Sequence, residues 1–353
     1  MRSRLVGLLA ALVAAAICQG ADRSPMLVLD AHQDCLRRVL DRGDDLGERI
    51  PGTHGDLNVW KKGGCNIVWF SAWIDPRRYP DELAVRRVNN LLGALNQQLR
   101  LHPDELVSCV TAADCRAAAA AGKIAALRAI EGGIGINNDI SLIEKFRRMG
   151  VRRMNLTWRG NLDWAGSSQA CPGYDRKPHK EKGLSDFGKQ VVREMNRVGM
   201  VVDLSHCSDS TFYDAIAVST KPVICSHSNC RAMAPHVRNI TDEMLRKLAE
   251  KDGVIGVNFY TEYVKGGGLK ERFGAPDLEK VLDLIDHMVK VAGIDHVGIG
   301  SDWDGGITPV KGLEDASKLP DLFAGMRKRG YSEEDIRKFA GENFLRVIEA
   351  NER

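Results

Sequence analysis

The 353-residue sequence lacks several features that would place it in other classes of protein. It has no block of lysine and arginine interleaved with aromatic residues, and its 50 basic and 47 acidic residues leave a net charge of only +3, so nucleic acid is not an expected partner. Beyond the N-terminus it has no apolar run long enough for a transmembrane helix. It also has no low-complexity segment, repeat or break in composition, which argues against two separate domains.

The N-terminus has the pattern of a secretory signal peptide. Basic residues precede an apolar run over residues 5–17, and small residues follow around Gly20. The run is too short to span a bilayer comfortably. We therefore predict a signal peptide at 1–20 and one mature domain at 21–353 that is secreted or periplasmic. The chain ends in charged residues, so neither a GPI tail nor a membrane anchor is expected.

Eight short runs rich in Val, Ile and Leu recur along the chain, and most are followed by an amphipathic helical stretch. Near-continuous apolar runs are typical of strands that are buried on both faces. The predicted strands are 26–30, 66–71, 124–130, 152–156, 200–204, 222–225, 254–259 and 296–299. Helices are predicted at 81–101, 142–148, 185–197, 242–251 and 278–291, with two closing helices at 318–329 and 332–350. This order predicts an α/β fold, a single (β/α)8 barrel of the TIM type with extra C-terminal helices.

Eight cysteines remain after the predicted signal peptide, and their spacing does not fix a disulfide pattern. Thr111 and Asp114 form a capping box that predicts a helix, with Cys109 just outside it and Cys115 in its first turn. This placement predicts that the two thiols could meet. Free buried thiols are the alternative, particularly for cysteines beside barrel strands.

Metal-ligand types end five of the eight predicted strands. Barrel enzymes place their working residues at the C-terminal ends of the strands. The candidate side chains there are His32, Asp34, Glu131, His206, His227 and Asp302. Each has an ordinary alternative by itself, such as a hydrogen-bonded pair, a turn cap before glycine or a core histidine. Their concentration on one predicted face favours a metal site.

Three histidines and two carboxylates exceed what one four-coordinate zinc requires, so we predict two zinc ions bridged by Glu131. Such a pair lowers the pKa of a trapped water, and a bridging hydroxide is the expected nucleophile. Asp302 is placed to accept its proton and to return one to the leaving amine. Asp304, which precedes glycine, is interpreted as a turn residue.

These motifs, in this order, resemble the membrane (renal) dipeptidase family, zinc metallodipeptidases of the amidohydrolase-like TIM-barrel superfamily. The similarity extends over about residues 27–346, and it is carried by the phrases Asp30-Ala31-His32-Gln33-Asp34, Ala129-Ile130-Glu131-Gly132-Gly133, Val202-Asp203-Leu204-Ser205-His206, Ile224-Cys225-Ser226-His227-Ser228, Val237-Arg238-Asn239 and Gly298-Ile299-Gly300-Ser301-Asp302-Trp303-Asp304-Gly305. The resemblance implies zinc-dependent hydrolysis of the amide bond of dipeptides.

The resemblance also implies a role for individual side chains. The first zinc would be bound by His32 and Asp34, the second by His206 and His227, with Glu131 between them. Arg238 would grip the substrate carboxylate, a task suited to a planar guanidinium, and Asp302 would meet the substrate amine and the scissile nitrogen. Mammalian relatives are disulfide-linked dimers, and although their cysteines cannot be matched here, a homodimer held by packing remains open.

Trp158 departs from the family pattern. Many members have a histidine in a Leu-Thr-His phrase that helps to polarise the scissile carbonyl, whereas an indole offers a donor nitrogen but no charge and no acceptor. Trp158 is therefore predicted to line the substrate site as an apolar wall, unless Arg159 or Asn161 supplies the polar contact. An N-acyl amino acid, a lactam or another small amide is the alternative substrate. A silent binding protein is disfavoured because every expected ligand is present.

Overall fold

The computed structural model describes residues 25–174, 183–266 and 274–352. The predicted signal peptide at 1–20 and the first residues of the predicted mature domain lie outside these ranges. No helix among the described residues has the length and apolarity needed to cross a bilayer.

Eight of the nine strands in the described ranges form a closed parallel barrel. The strands are β1 (Leu29–Gln33), β2 (Ile67–Trp73), β3 (Leu106–Ser108), β4 (Ile124–Glu131), β5 (Val151–Asn155), β6 (Val201–Asp203), β7 (Ile224–Ser228), β8 (Val254–Val257) and β9 (Val297–Ile299). The barrel omits β3: β2 pairs directly with β4, the remaining strands pair in sequence to β9, and β9 pairs with β1 to close the ring. The predicted single-domain TIM-type barrel is confirmed.

The additional strand, β3, was not predicted. It pairs with Ile124–Ala126 at the start of β4, whereas β5 pairs with 128–130 further along the same edge. Only Leu106 of its three residues is buried, and Ser108 is exposed. A strand this short with one buried side chain leaves no apolar run in the sequence, which is why it could not be recognised.

Helices surround the barrel, and their positions agree with the predicted βα order. They are α1 (Leu36–Arg42), α2 (Leu57–Gly63), α3 (Glu82–Leu101), α4 (Ala112–Ala120), α5 (Ser141–Arg148), α6 (Asp186–Val198), α7 (Asp209–Val218), α8 (Asp242–Glu250), α9 (Thr261–Val264), α10 (Leu278–Ala292), α11 (Leu319–Lys328), α12 (Glu333–Arg337) and α13 (Asn343–Glu352). The capping box of Thr111 and Asp114 opens α4 as predicted.

The helix predicted at 332–350 is interrupted. A π-helical segment, Lys338–Glu342, separates α12 from α13. Within it Gly341 approaches the barrel so closely that an added Cβ would lie 2.7 Å from the backbone oxygen of Leu27. The closing helices therefore pass the N-terminal end of β1 at this wider helical turn.

All eight cysteines in the described ranges are buried free thiols. Cys109 and Cys115 do meet, and a hydrogen bond between their side chains, together with burial, raises the pKa of Cys115. The predicted contact between these two thiols is therefore confirmed.

Several strands extend further into the motifs than predicted. The predicted strands 26–30, 124–130 and 222–225 ended before the candidate ligands, but β1 includes His32, β4 includes Glu131 and β7 includes His227. These side chains are buried, so the polar ends of the strands belong to the barrel itself. Because the strands are parallel, their C-terminal ends meet on one face.

Candidate metal centre

The five predicted ligands converge at the C-terminal face of the barrel. His32 lies on β1 and Asp34, two residues further on, directly follows the strand, a spacing that directs both side chains to the same side. Glu131 is the last residue of β4, and His227 lies within β7. His206 follows β6 in a left-handed conformation, with φ 75°. All five are at most 5% exposed.

Glu131 lies between two groups of ligands. Its Oε1 is 2.9 Å from His206 Nε2 and 3.5 Å from His227 Nε2. Its Oε2 is 3.3 Å from His32 Nε2, which is itself 3.2 Å from Asp34 Oδ2. One carboxylate oxygen therefore faces each group, the arrangement that a bridging ligand requires.

The donor set fits metal ions. His32, Asp34 and Glu131 form one group whose ligand atoms all lie within 4.8 Å of one another, and Glu131, His206 and His227 form another. Imidazole nitrogen and carboxylate oxygen are the ligands that zinc prefers when thiolate is absent. Asp34 Oδ1 is also buried without a hydrogen-bond partner, and such an atom calls for a cation or another donor.

The surroundings shift the pKa values of the three histidines, and two of the three are kept neutral, the form that binds a metal ion. Burial lowers the pKa of His206 to about 3, and burial with the nearby charge of His32 lowers that of His227 well below its usual range. Both rings are therefore neutral at pH 7 and carry a free lone pair. Burial opposes charge on His32, but the carboxylates of Glu131 and Asp34 outweigh it and raise its pKa to about 10.

Asp302 lies beside the ligands, where the chain leaves β9. Its φ of 65° is left-handed, a conformation that Asp and Asn tolerate better than most residues. Asn258 Nδ2 donates to Asp302 Oδ2 at 2.9 Å. Burial, with the charges of Asp34 and Glu131, raises the pKa of Asp302 to about 7. Asp302 also forms a compact group with His32 and His227.

Asp304 has structural partners instead. Its carboxylate accepts from the backbone nitrogens of His54 at 2.9 Å and Gly55 at 3.2 Å, and Arg38 Nε lies 3.4 Å away. These contacts tie the loop after β9 to the loop before α2. The geometry agrees with the interpretation of Asp304 as a turn residue.

Arg238 is buried behind the second group of ligands. Its Nη2 donates to the backbone oxygen of His227 at 3.1 Å, its Nη1 donates to Ser228 Oγ at 3.3 Å, and its Nε has no hydrogen-bond partner. The guanidinium carbon is 5.4 Å from the centre of the Tyr263 ring. Arg238 does not line the cavity described next, but Tyr263, on which its guanidinium stacks, does.

A cavity of about 70 Å³ opens above the ligands. Its wall is formed by Asp34, Arg37, Trp73, Glu131, Trp158, Arg159, His206, Tyr260, Tyr263, Asp302, Gly305, Gly306 and Ile307. Trp158 packs edge-on against Trp73 with ring centres 5.0 Å apart. Arg159 stacks on Trp158 at 5.3 Å and Arg37 on Trp73 at 5.4 Å, so two cations flank the aromatic wall.

The structure thus places Trp158 where the sequence predicted a wall. Of the two polar substitutes considered, Arg159 reaches the cavity, whereas Asn161 accepts a hydrogen bond from the backbone nitrogen of Ser167. Sequence reasoning missed Trp73, the two tyrosines and Arg37. Trp73 is the last residue of β2 and Tyr260 lies shortly after β8, so both had a positional signal, but Arg37 lies on α1 and had none.

A closed parallel barrel with histidine and carboxylate ligands gathered at the C-terminal ends of its strands is the architecture of a metal-dependent hydrolase. The family model for membrane dipeptidase (peptidase family M19) matches residues 23–353. The chain belongs to this family, and it is a peptide-bond hydrolase.

Individual relatives agree with that assignment. The chain is 32% identical over 348 residues to dipeptidase tcpJ of Claviceps purpurea, a match that covers 94% of this chain and 77% of the relative. The probable dipeptidase PvdM of Pseudomonas aeruginosa is similar in structure, with a TM-score of 0.85, 26% identity and coverage of 93% and 96% of the two chains. A metallopeptidase of Rhodobacter sphaeroides, solved with a phosphinate mimic of the dipeptide L-Ala-D-Ala, has a TM-score of 0.81 and 29% identity over 93% and 99% of the chains.

Proposed function

We propose that the chain hydrolyses dipeptides with two zinc ions, one held by His32 and Asp34 and the other by His206 and His227, with Glu131 shared between them. The observation that carries the proposal is the division of the Glu131 carboxylate: Oε1 faces His206 and His227, and Oε2 faces His32. A single ion would leave one of these groups without a function.

Two zinc ions in such a site supply Lewis acidity and make a water molecule nucleophilic near neutral pH. The protein contributes the proton transfers. Asp302 adjoins both groups of ligands, forming a compact group with His32 and His227, and this position suits a carboxyl group that transfers protons. It accepts a proton from the attacking water and returns one to the leaving amine.

Two charged side chains set the length of the substrate. Arg238 is buried with an unpaired Nε, and a substrate carboxylate would satisfy that donor. Asp302 is the acidic partner for the free amine at the other end. Because both ends are held, substrates of two residues fit and longer peptides do not.

The wall of Trp158 and Trp73 takes the place of a polarising histidine. It offers an apolar surface beside the ligands, and an arginine stacks on each of its two rings. This wall is also the feature that favours the second candidate function, hydrolysis of an N-acyl amino acid, a lactam or another small amide, in which an apolar group would replace the free amine.

One comparison tests both candidates. Ala-Ala, N-acetyl-Ala-Ala and Ala-Ala-Ala are assayed with the zinc-loaded protein, and zinc content is measured in the same sample. Turnover of Ala-Ala alone supports the dipeptidase. Turnover of the acetylated compound at an equal or higher rate supports the alternative, and turnover of none of them by a protein that holds zinc would contradict both. The phosphinate mimic of L-Ala-D-Ala, which is bound in the Rhodobacter sphaeroides metallopeptidase, serves as the competing ligand.

We also propose that the protein acts outside the cytoplasm, on the basis of the signal-peptide pattern at 1–20. Expression of the full chain followed by N-terminal sequencing of the mature product tests this. Cleavage near Gly20 supports secretion, and an intact N-terminus in the cytosolic fraction contradicts it.

A further inference from the structure

Arg153 lies in the interior of the barrel beneath the metal centre, and the mechanism above gives it no role. It is part of β5 and is fully buried. Its Nη1 donates to the carboxylate of Asp203 and, at 2.8 Å, to Asn155 Oδ1. The guanidinium carbon is 5.3 Å from the centre of the Trp69 ring. Burying an arginine and its acidic partner costs desolvation free energy, so the other contacts of Arg153 indicate what the buried charge does.

The two arms of the guanidinium reach two serines. Arg153 Nη2 donates to Ser71 Oγ at 2.9 Å, and Nη1 donates to Ser226 Oγ at 3.1 Å. Ser71 Oγ is 3.2 Å from Nδ1 of His32, and Ser226 Oγ is 2.7 Å from Nδ1 of His227. Arg153 is therefore connected to a histidine in each group of ligands. Ser71 links it to His32, and Ser226 links it to His227.

The donors and acceptors of these groups indicate that each serine oxygen accepts from both an imidazole and Arg153. An imidazole that binds a metal through Nε2 carries its proton on Nδ1, and that proton needs an acceptor. Arginine can only donate, so it cannot be this acceptor even though Nη2 is 3.3 Å from Nδ1 of His32. A serine oxygen has two lone pairs and can accept from Arg153 and from the imidazole together.

We propose that Arg153 is a positioning residue that couples the two metal sites: it holds Ser71 and Ser226 so that their oxygens orient the rings of His32 and His227. The inference rests on the proposed zinc centre. The rings of His32 and His227 also pack against one another with centres 3.8 Å apart, so the orientation of one restricts the other.

The surroundings hold Arg153 and Ser226 in place. Asp203 Oδ1 accepts from the backbone nitrogens of Ser205 and Ser226, both at 3.0 Å, while its other oxygen accepts from Arg153. On the far side, a Cβ added to Gly300 would lie 1.8 Å from the backbone oxygen of Ser226. The strand that carries His227 is therefore fixed from both sides.

Single serine variants give the sharpest test, because each removes one acceptor and leaves Arg153 paired with Asp203. Zinc affinity is measured by competition with a chromophoric chelator, and the cobalt-substituted protein is examined by its visible absorption. Ser71→Ala is expected to weaken one zinc equivalent by about 10- to 100-fold, and Ser226→Ala to weaken the other to a similar extent. The Ser71→Ala/Ser226→Ala double variant weakens both.

Arg153→Lys keeps the positive charge but loses the fork that reaches both serines. It is expected to weaken both equivalents and to change the cobalt spectrum, and it adds little when introduced into the double serine variant. Arg128→Lys is the matched control, since Arg128 is a buried arginine of the neighbouring strand β4 whose arms reach Ser108 and Asn96, neither of which contacts a candidate ligand in the hydrogen bonds described. Urea unfolding of the metal-free proteins measures any purely structural cost of each change.

The inference is overturned if Arg153→Lys, or both single serine variants, bind two zinc ions with wild-type affinity and give the wild-type cobalt spectrum. It is also overturned if Arg128→Lys weakens zinc binding as strongly as Arg153→Lys. Failure of the proposed function has a different result, because wild-type protein would then bind no zinc or hydrolyse no dipeptide. The affinity measurements need no substrate and separate the two cases.

Discussion

Replacing Asp302 with asparagine isolates proton transfer from every other property of the site. Asparagine has the same shape, tolerates the left-handed φ of 65°, and can still pair with Asn258. We therefore expect the free energy of unfolding and the zinc content to be unchanged. Alanine would be a poorer choice because it would add backbone strain at this φ.

The expected loss follows from the role of the carboxyl group. Proton transfer by a positioned side chain contributes about 10²- to 10⁴-fold. Asp302→Asn should therefore lower kcat for Ala-Ala by that factor, which corresponds to about 3 to 5 kcal/mol at 1.36 kcal/mol per tenfold. Steady-state kinetics, zinc analysis and urea unfolding on one preparation provide the three measurements.

Asp304→Asn is the control for this experiment. Asp304 lies two residues further on, is also buried and has a similar φ of 63°, but its carboxylate binds the backbone of His54 and Gly55 and the side chain of Arg38. This variant should lose stability by about 1 to 3 kcal/mol and keep its kcat. Normal turnover by Asp302→Asn, or an equal loss of kcat in both variants, would refute the assignment of Asp302.

Four further outcomes are expected. Removal of metal with a chelator should abolish dipeptide hydrolysis and lower the Tm, and zinc but not magnesium should restore both, because imidazole ligands favour zinc; activity that survives chelation would contradict the metal centre. Arg238→Lys should raise KM for Ala-Ala by about 10- to 100-fold with a smaller change in kcat, since the fork that fits a carboxylate is lost; an unchanged KM in steady-state assays would remove Arg238 from the substrate site. Trp158→Ala should weaken binding of dipeptides with apolar side chains by about 0.5 to 1.5 kcal/mol at unchanged zinc content, measured by competition with the phosphinate mimic. An affinity equal to that of the wild-type protein would contradict the role of Trp158 as part of the substrate wall. Thr111→Ala should lower the free energy of urea unfolding by about 1 kcal/mol through loss of the α4 capping box, and a wild-type value would show that the cap is dispensable.

The barrel and the convergence of the candidate ligands could be predicted because both leave strong local signals. Each barrel strand is an apolar run, and the ligands follow those runs at the end where TIM-type barrels carry their sites. The boundaries were less accurate where the ligands begin: His32, Glu131 and His227 are polar and do not resemble strand residues, yet the barrel buries them. Their burial depends on partners from other strands, which no local window contains.

The contacts beneath the ligands could not be predicted at all. Arg152 and Arg153 are adjacent in the sequence, but only Arg153 lies inside the barrel, where it meets Asp203 and two serines. Arg152 instead donates to backbone oxygens outside, including that of Val110. The difference depends on the register of β5 against β6, in which Arg153 pairs with Val201.

The ligands are spread along much of the chain, from β1 to β7, and this has a consequence for maturation. No contiguous fragment that stops before β7 contains His227, and β1 reaches its final neighbour only when β9 closes against it. In the proposed zinc centre the full set of ligands comes together only in the assembled barrel, so the ions would stabilise that barrel rather than nucleate its folding.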